Sequence, residues 1–276
     1  MVARPASIEE LSEVVRERAA IRLSLGGWDL DCVPSDLELS GLTGIVELSP
    51  EDMVVTVRSG TTLGELQTTL AEHGLCLPMP MQHPFLTHPG MTLADHLALN
   101  LPHGLDSQCG SWRDWVLGMR LMLADGMICT SGSKVVKSVA GYDVHKLMIG
   151  ARHSLAIVAE VTLKVLPLAA MPKSSVKQFG EPSSTGYWVH RVLPTDYQAC
   201  VSSYGDRVLF VDPAASVVWA KGSDAPKRFR HDVVVGNGFG SLNCSLSDPV
   251  ARHLFSRAKA VLDPTNKFNP GAIGPL

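Results

Sequence analysis

The sequence of 276 residues contains no long apolar run, only 18% charged residues and only 6% aromatic residues. No apolar run reaches the roughly 18 residues that span a bilayer, and the N-terminal segment MVARPASIEE lacks the apolar core of a signal peptide. We therefore expect a cytoplasmic protein without a membrane span. Lys and Arg number 24 and Asp and Glu 27, so the net charge of -3 argues against a nucleic-acid-binding protein. A hydrophobic fraction of 45% predicts a folded, globular chain.

The sequence contains six cysteines. They form no CxxC pair and no Cys/His spacing typical of zinc. This pattern predicts neither a disulfide framework nor a metal site, and it favours buried free thiols. Four histidines share one proline-rich stretch, but their spacing matches no ligand motif such as HExxH, so we expect no bound metal. The cysteines are Cys32, Cys76, Cys109, Cys129, Cys200 and Cys244, and the histidines are His83, His88, His96 and His103.

Hydrophobic periodicity predicts helices and strands mixed along the first part of the chain. Three helices are expected because each segment begins with two residues at capping-box spacing. The segment 75–90 carries four prolines and is expected to be an extended loop. Helices are expected over 7–20, 61–74 and 92–100, strands over 21–25, 44–48, 53–58 and 157–165, and a hairpin turn at Asp125–Gly126. The capping pairs are Ser7 and Glu10, Thr62 and Glu65, and Thr92 and Asp95.

The second part of the chain has a different composition. Residues 172–186 are rich in Lys, Ser, Gly and Pro, which is typical of a linker or a surface excursion. Four strand-like runs follow, YWVHRVL, RVLFV, SVVWA and DVVVG, and they predict a small antiparallel sheet before a last helix, DPVARHLFSRAKAVL. We therefore divide the chain into residues 1–170 and residues 171–276.

The segment VVVGNGFGS places Gly236, Gly238 and Gly240 after a strand, as a dinucleotide-binding fingerprint does. Such a loop must open a helix and feed a second parallel strand, yet only one helix and a proline-rich tail follow. We interpret the segment as a hairpin turn and not as a nicotinamide site.

The segment 110–167 has a distinctive order of motifs. It runs from Gly110 and the pair Arg113–Asp114 through LADGMI and KSVAGYDV to GARHSLAIVAEVTLKVLP. It resembles the FAD-binding domain of the vanillyl-alcohol oxidase/PCMH flavoprotein superfamily, and most closely the FAD-binding E subunits of bacterial glycolate oxidase. The segment SGTTLGELQTTLAEHGLCLP and the tail DPTNKFNPGAI resemble further motifs of that family. The resemblance implies an α+β, FAD-binding PCMH-type fold of two α/β subdomains, with a small reduced cap and a C-terminal return.

The resemblance also implies where FAD is bound. Glycines in these loops let backbone N–H groups approach the pyrophosphate because no Cβ intervenes. Taken one by one, the same residues have structural explanations: the glycines as turns, Asp114 as a helix cap and Tyr142 as a core aromatic. The implied FAD contacts are Gly26, Gly27, Trp28, Thr92, Gly110, Asp114, Gly141, Tyr142 and Ile157.

The chain departs from the family motifs at three places. Trp28 narrows the first phosphate loop, and Ala94 and Asp95 replace two glycines of the second. A carboxylate at Asp95 suits a helix start but occupies the positive end that attracts phosphate. Arg152 and His153 stand where the family has small residues, and the Arg152 guanidinium offers a compensating partner for phosphate.

By resemblance, the chain is an FAD-binding oxidoreductase subunit that assists oxidation of glycolate or a similar 2-hydroxy acid. Its implied partners are a second flavin subunit and an iron–sulfur subunit. No catalytic residue is assigned, although His83, His88 and His103 are candidates to border the isoalloxazine ring. The alternative is a flavin-free scaffold subunit of the same kind of complex, because phosphate-loop glycines are replaced.

Overall fold

A computed structural model describes residues 2–25, 35–79, 91–133, 142–173, 177–178, 187–221, 232–235 and 249–272. The helices are α1 (Ile8–Glu17), α2 (Leu63–Glu72), α3 (Leu93–Leu99), α4 (Asp106–Cys109), α5 (Trp112–Trp115), α6 (His145–Met148), α7 (Pro194–Tyr204) and α8 (Pro249–Leu262). The strands are β1 (Ile45–Ser49), β2 (Val54–Arg58), β3 (Leu75–Cys76), β4 (Val116–Met122), β5 (Ile128–Gly132), β6 (Ile157–Lys164), β7 (Leu166–Pro167), β8 (Lys177–Gln178), β9 (Tyr187–Arg191), β10 (Val208–Asp212), β11 (Val217–Lys221) and β12 (Asp232–Val235).

The first sheet has the order β1-β2-β6-β4-β5, and all its neighbours pair antiparallel. Alternate residues of β6 point to opposite faces, so Val158 and Ile157 belong to two different core clusters. One cluster lies under α2 and α3, and the other contains the apolar residues of α1. The hairpin predicted at Asp125–Gly126 is confirmed, because β4 pairs with β5 across it and Gly126 has φ +81°.

The predicted helix starts are confirmed in detail. The Ser7 hydroxyl accepts a hydrogen bond from the Glu10 amide at 3.1 Å, and Thr62 and Glu65 form a reciprocal capping box. Helix α2 ends before Gly74, which has φ +68° as a helix-terminating glycine requires.

The strand predicted over 21–25 is wrong as a regular strand. Ile21 and Leu23 instead make isolated parallel bridges to Phe268 and Leu37. The partners are two segments far apart in the sequence, so the ladder cannot extend. Through the bridge between Ile21 and Phe268, the C-terminal segment packs beside the segment 21–25.

The second sheet confirms the small antiparallel sheet that the sequence predicts. Its order is β12-β9-β11-β10-β8, and every neighbouring pair is antiparallel. Helix α7 packs on one face through Cys200 and Tyr204. The other face contributes Val189, Phe210 and Trp219 to a core cluster shared with the first part of the chain.

Helix α7 is absent from the sequence-based prediction. Only Cys200 and Tyr204 are buried on it, so it has no strong apolar stripe, although Pro194 at its first position is a typical start signal. No helix in the described part of the chain is long and apolar enough to cross a bilayer. Cys76 and Cys200 are buried free thiols as expected, whereas Cys109 and Cys129 are half-buried.

Candidate functional site

Two of the expected cofactor segments approach each other at one core cluster. Leu25, directly before Gly26, and Met91, directly before Thr92, both belong to the cluster that includes Ala98 and Trp219. Gly26, Gly27, Trp28 and Gly141 lie outside the described residues, so their predicted contacts stay predictions. The described residues directly before the first and second expected phosphate loops therefore lie in the same region of the protein.

The backbone N–H groups at the start of α3 already donate hydrogen bonds to acceptors within the chain. The Leu93 amide donates to Thr61 O at 2.9 Å, and the Ala94 amide donates to Ser59 O at 2.8 Å. Asp95 Oδ2 accepts from the Thr92 amide at 2.8 Å and from the Thr92 hydroxyl at 2.7 Å. These N–H groups are therefore already used, and a buried carboxylate lies where the sequence predicts a phosphate contact.

Gly110 and Asp114 are in direct contact around the start of α5. Asp114 Oδ2 accepts from the Ser111 amide at 2.8 Å, so the interpretation of Asp114 as a helix cap is confirmed. Gly110 has φ +81° and ψ -177°, a conformation that is essentially restricted to glycine. The Arg113 guanidinium donates to Ile149 O at 3.3 Å and so connects this turn to the segment before Gly150.

His103 contacts the turn at Gly110 through its imidazole ring. The Leu105 amide donates to His103 Nδ1 at 3.3 Å, which assigns the proton to Nε2, and Nε2 lies 2.9 Å from Gly110 O. Burial lowers the pKa of His103, although Asp106 opposes this effect. Its described contacts therefore assign a structural role to this candidate. His83 and His88 lie outside the described residues.

Arg191, at the end of β9 in the second sheet, contacts the segment that leads to Gly110. Its guanidinium donates to Asn100 O at 3.0 Å and lies 3.4 Å from Asp106 Oδ1. Burial lowers the pKa of Arg191, which nonetheless keeps its charge at neutral pH because the ordinary value is so high. Arg191 was missed in the sequence analysis, since nothing local in β9 signals a partner on α4.

The loop 150–156 is held in an unusual conformation. Arg152 and His153 have φ +53° and +54°, values that non-glycine residues seldom adopt. The Gly150 amide donates to Leu97 O at 2.8 Å and the Arg152 amide to Ala98 O at 3.0 Å, so α3 fixes the loop. Arg152 Nη1 donates to Ala272 O at 3.3 Å, and its pairing with phosphate stays a prediction.

His153 is buried within this loop. Burial lowers its pKa to about 4, so the imidazole is neutral at physiological pH. Its Nε2 atom has no hydrogen-bond partner in the described part of the chain.

Ile157 and Tyr142 differ in their surroundings. Ile157 is fully buried in the cluster with Leu11 and Met122, so any FAD contact at this residue would involve its backbone. Tyr142 is 94% exposed, so the interpretation of it as a core aromatic is wrong. Tyr142 follows the segment 134–141, which lies outside the described residues, and its FAD contact stays a prediction.

The buried polar atoms provide a test of whether FAD fits. Within the described residues, His153 Nε2, Trp112 Nε1 and Asn100 Oδ1 are buried without hydrogen-bond partners. Such atoms are costly unless a polar ligand or water meets them. The residues around loop 150–156 and α5 therefore fit a polar cofactor, whereas the saturated start of α3 does not fit a phosphate.

The described residues contain no group of three or more His, Cys, Asp and Glu side chains that could hold a metal ion. His96 and His103 are both buried. The expectation of no metal stays a prediction for the segments outside that part.

The C-terminal segment contains residues that the sequence analysis did not single out. Lys259 Nζ donates to Ser154 O at 2.6 Å and to Asp263 Oδ2 at 2.6 Å, and Asn269 Nδ2 donates to Arg152 O at 2.8 Å. The tail motif DPTNKFNPGAI carried the signal, since Asp263 and Asn269 belong to it.

Comparisons with known proteins show what the chain is similar to. Residues 1–132 match the family described as the FAD binding domain. Glycolate oxidase subunit GlcE of Escherichia coli (strain K12) is 36% identical over 124 residues, which cover 45% of this chain and 35% of that protein. The mitochondrial cytochrome-type D-lactate dehydrogenase of Arabidopsis thaliana is 31% identical over 140 residues, 51% of this chain and 23% of that protein.

The solved structure of an alkyldihydroxyacetonephosphate synthase matches at a TM-score of 0.50 and 16% identity, over 73% of this chain and 36% of that chain. This likeness shows the fold alone. The chain spans less than two fifths of the length of the curated relatives described above.

Proposed function

Because residues 1–132 of this chain match the FAD binding domain family, we propose that the protein is an FAD-binding subunit of a 2-hydroxy-acid oxidase. We propose glycolate or a similar small 2-hydroxy acid as the substrate of the assembly. A second flavin subunit and an iron–sulfur subunit are its proposed partners, and the cytoplasm is its proposed location. The likeness to GlcE, itself a glycolate oxidase subunit, supports this role.

One structural observation carries the proposal. The flanks of two expected cofactor loops, at Leu25 and Met91, share a core cluster, and loop 150–156 is hydrogen-bonded to Leu97 and Ala98 in the last turn of α3. Loop 150–156 and α5 present buried polar atoms without partners in the described part of the chain. A polar cofactor bound among these segments would satisfy them.

FAD supplies hydride-accepting chemistry, and the protein holds the cofactor and excludes water around it. We propose that Gly110, Asp114 and Ile157 belong to the binding surface, together with Gly26, Gly27, Trp28, Gly141 and Tyr142. Thr92 is proposed to border this surface without binding phosphate, because its amide and hydroxyl already donate to Asp95. The structure gives Gly110 and Asp114 a rigid turn, which suits a surface that must keep its shape without ligand. We assign no catalytic acid or base.

A scaffold subunit that takes no part in electron transfer is the second candidate. The buried Asp95 carboxylate favours it, because a negative charge at the start of α3 opposes a nearby diphosphate. The two candidates differ in whether flavin is retained by the purified protein.

The decisive experiment is an absorbance spectrum of the purified native protein, repeated after addition of FAD and desalting. Retained flavin bands near roughly 370 and 450 nm are expected for a flavoprotein. A colourless protein that does not take up FAD would contradict the proposal and support the scaffold. Gly27→Val provides the control, since a side chain in the first phosphate loop is expected to abolish FAD binding.

If flavin is retained, 2-hydroxy acids are screened with the proposed partner subunits present. Bleaching of the flavin bands by glycolate in the complex, but not by acids that lack the 2-hydroxyl group, is the expected result. Failure of every 2-hydroxy acid to reduce the complex would overturn the proposed substrate class.

A further inference from the structure

Asn269 makes an unusual number of connections for one residue of a C-terminal tail. Its side chain is buried, with Oδ1 accepting from the Leu23 amide at 2.7 Å and Nδ2 donating to Arg152 O at 2.8 Å. Its own amide donates to Ile21 O at 2.8 Å. One amide side chain therefore ties the segment 21–25 to loop 150–156.

Both connected segments lead into the proposed cofactor surface. The segment 21–25 ends at Leu25, directly before the first expected phosphate loop, and loop 150–156 runs directly into Ile157. Neither segment contacts the other through a regular sheet, since Ile21 and Leu23 make only isolated bridges. The Asn269 side chain is hydrogen-bonded to both segments, so we expect it to fix their relative position.

The conformation of Asn269 suits this role. Its φ is +39°, in the left-handed region that asparagine tolerates better than most residues. The Ala272 amide donates to Asn269 O at 3.0 Å, and Arg152 Nη1 donates to Ala272 O at 3.3 Å, which closes a second link to the same loop. The side-chain acceptor is thus used by Leu23 and the side-chain donor by Arg152.

A buried ion pair anchors the tail to the same loop. Lys259 Nζ donates to Ser154 O at 2.6 Å, to Asp263 Oδ2 at 2.6 Å and to Phe268 O at 2.9 Å. Asp263 Oδ2 also accepts from the Phe268 amide at 2.8 Å. The backbone immediately before Asn269 is therefore held against loop 150–156 independently of the Asn269 side chain.

We propose that Asn269 is a positioning residue for FAD: it holds segment 21–25 and loop 150–156 in a fixed position relative to each other, and through them the C-terminal tail supports the proposed cofactor site. The inference rests on the proposed placement of FAD. It assigns Asn269 no contact with the cofactor, and its effect is exerted through Leu23 and Arg152. Loss of the side chain should therefore weaken FAD binding more than its effect on folding explains.

The test compares FAD affinity and apoprotein stability in three variants of the full-length protein. Asn269→Gly keeps the left-handed backbone and removes both side-chain bonds. Asn269→Asp keeps an acceptor for Leu23 and places a second acceptor against Arg152 O. The control is Lys267→Met, which removes bonds from Nζ to Val15 O and Ala124 O in the same tail without touching either cofactor segment.

FAD is titrated into apoprotein, and its dissociation constant is measured by fluorescence quenching well below every melting temperature. We expect both Asn269 variants to raise the dissociation constant about tenfold, the scale of one lost hydrogen bond between fixed groups. Lys267→Met should lower the melting temperature comparably and leave the dissociation constant within about twofold of the parent, because it lies outside the cofactor segments.

The outcomes separate the two proposals. Parent protein that binds no FAD overturns the proposed function and this inference with it. Parent protein that binds FAD, with Asn269 variants that change affinity no more than Lys267→Met does, overturns the inference alone. A selective loss of affinity in the Asn269 variants supports both.

Discussion

At the scale of single residues, the backbone conformation of Gly110 restricts this position to glycine. A Cβ placed there would lie 2.5 Å from Asp114 Oδ2, the atom that caps α5. We expect Gly110→Ala to lower the free energy of unfolding by roughly 3 kcal/mol, from backbone strain and crowding together. The measurement is urea denaturation of the apoprotein.

Gly44→Ala is the matched control for this substitution. Gly44 has φ +109°, and a Cβ there would meet no atom within 4 Å, so only the backbone cost of about 1 kcal/mol remains. Equal losses in the two variants would show that the contact with Asp114 adds nothing.

His153 makes stability depend on pH. Its pKa falls from 6.5 to about 4 in the folded protein because the imidazole is buried. The stabilising contribution is therefore complete above pH 6.5 and is lost as the pH falls from 6.5 towards 4, by about 3 kcal/mol in total. Urea midpoints measured across this range are the test.

The control for the pH dependence is His153→Asn, because asparagine tolerates the left-handed backbone and does not titrate. The difference in unfolding free energy between parent and variant should change with pH between 6.5 and 4. A difference that stays constant over this range would mean that His153 does not carry the effect.

At the scale of elements, Asp95 caps the start of α3 at the place where the family resemblance implies a phosphate contact. Asp95→Ala removes the acceptor for the Thr92 amide and hydroxyl and should cost about 1–2 kcal/mol, as the loss of a helix cap does. Asp95→Asn keeps an acceptor oxygen in the same place and should cost less. Thermal melting of both variants tests the cap.

Asp95→Asn also reports on the diphosphate, since it removes the charge and leaves the cap. If the diphosphate of FAD lies near this helix start, the variant should bind FAD several-fold more tightly, because one unfavourable negative charge is removed from its neighbourhood. Unchanged affinity would place the diphosphate away from α3.

The elements that the sequence predicts well are those with local signals. The caps at Ser7, Thr62 and Thr92 and the turn at Asp125–Gly126 depend on residues within a few positions of each other. The family resemblance added the FAD-binding fold, because its motifs are ordered along the chain. The left-handed pair at Arg152 and His153 could not be predicted, since its stability comes from α3 and the C-terminal tail.

Long-range contacts escaped the sequence analysis for the same physical reason. Asn269 bonds to a residue 246 positions away, and Arg191 reaches a carboxylate 85 positions away. Nothing in the neighbourhood of either residue specifies its partner. The positions that hold the candidate site together are therefore less visible in the sequence than the loops that would touch the cofactor.

At the scale of the whole molecule, one core cluster spans the proposed boundary near residue 170. Trp219 of the cap sheet and Leu25, Met91 and Leu99 of the first part belong to one buried cluster. The cap and the cofactor region should therefore gain and lose their structure together.

Trp219→Ala tests the coupling. Removing a buried tryptophan side chain should cost about 3–5 kcal/mol, and because the cluster is shared, the whole chain should still melt in one transition at a lower temperature. Val218→Ala on the opposite face, against α7, is the control for damage confined to the cap. Calorimetry that shows two separate transitions in Trp219→Ala, with only one of them shifted, would mean that the cap and the cofactor region are independent, and that the shared cluster does not couple them.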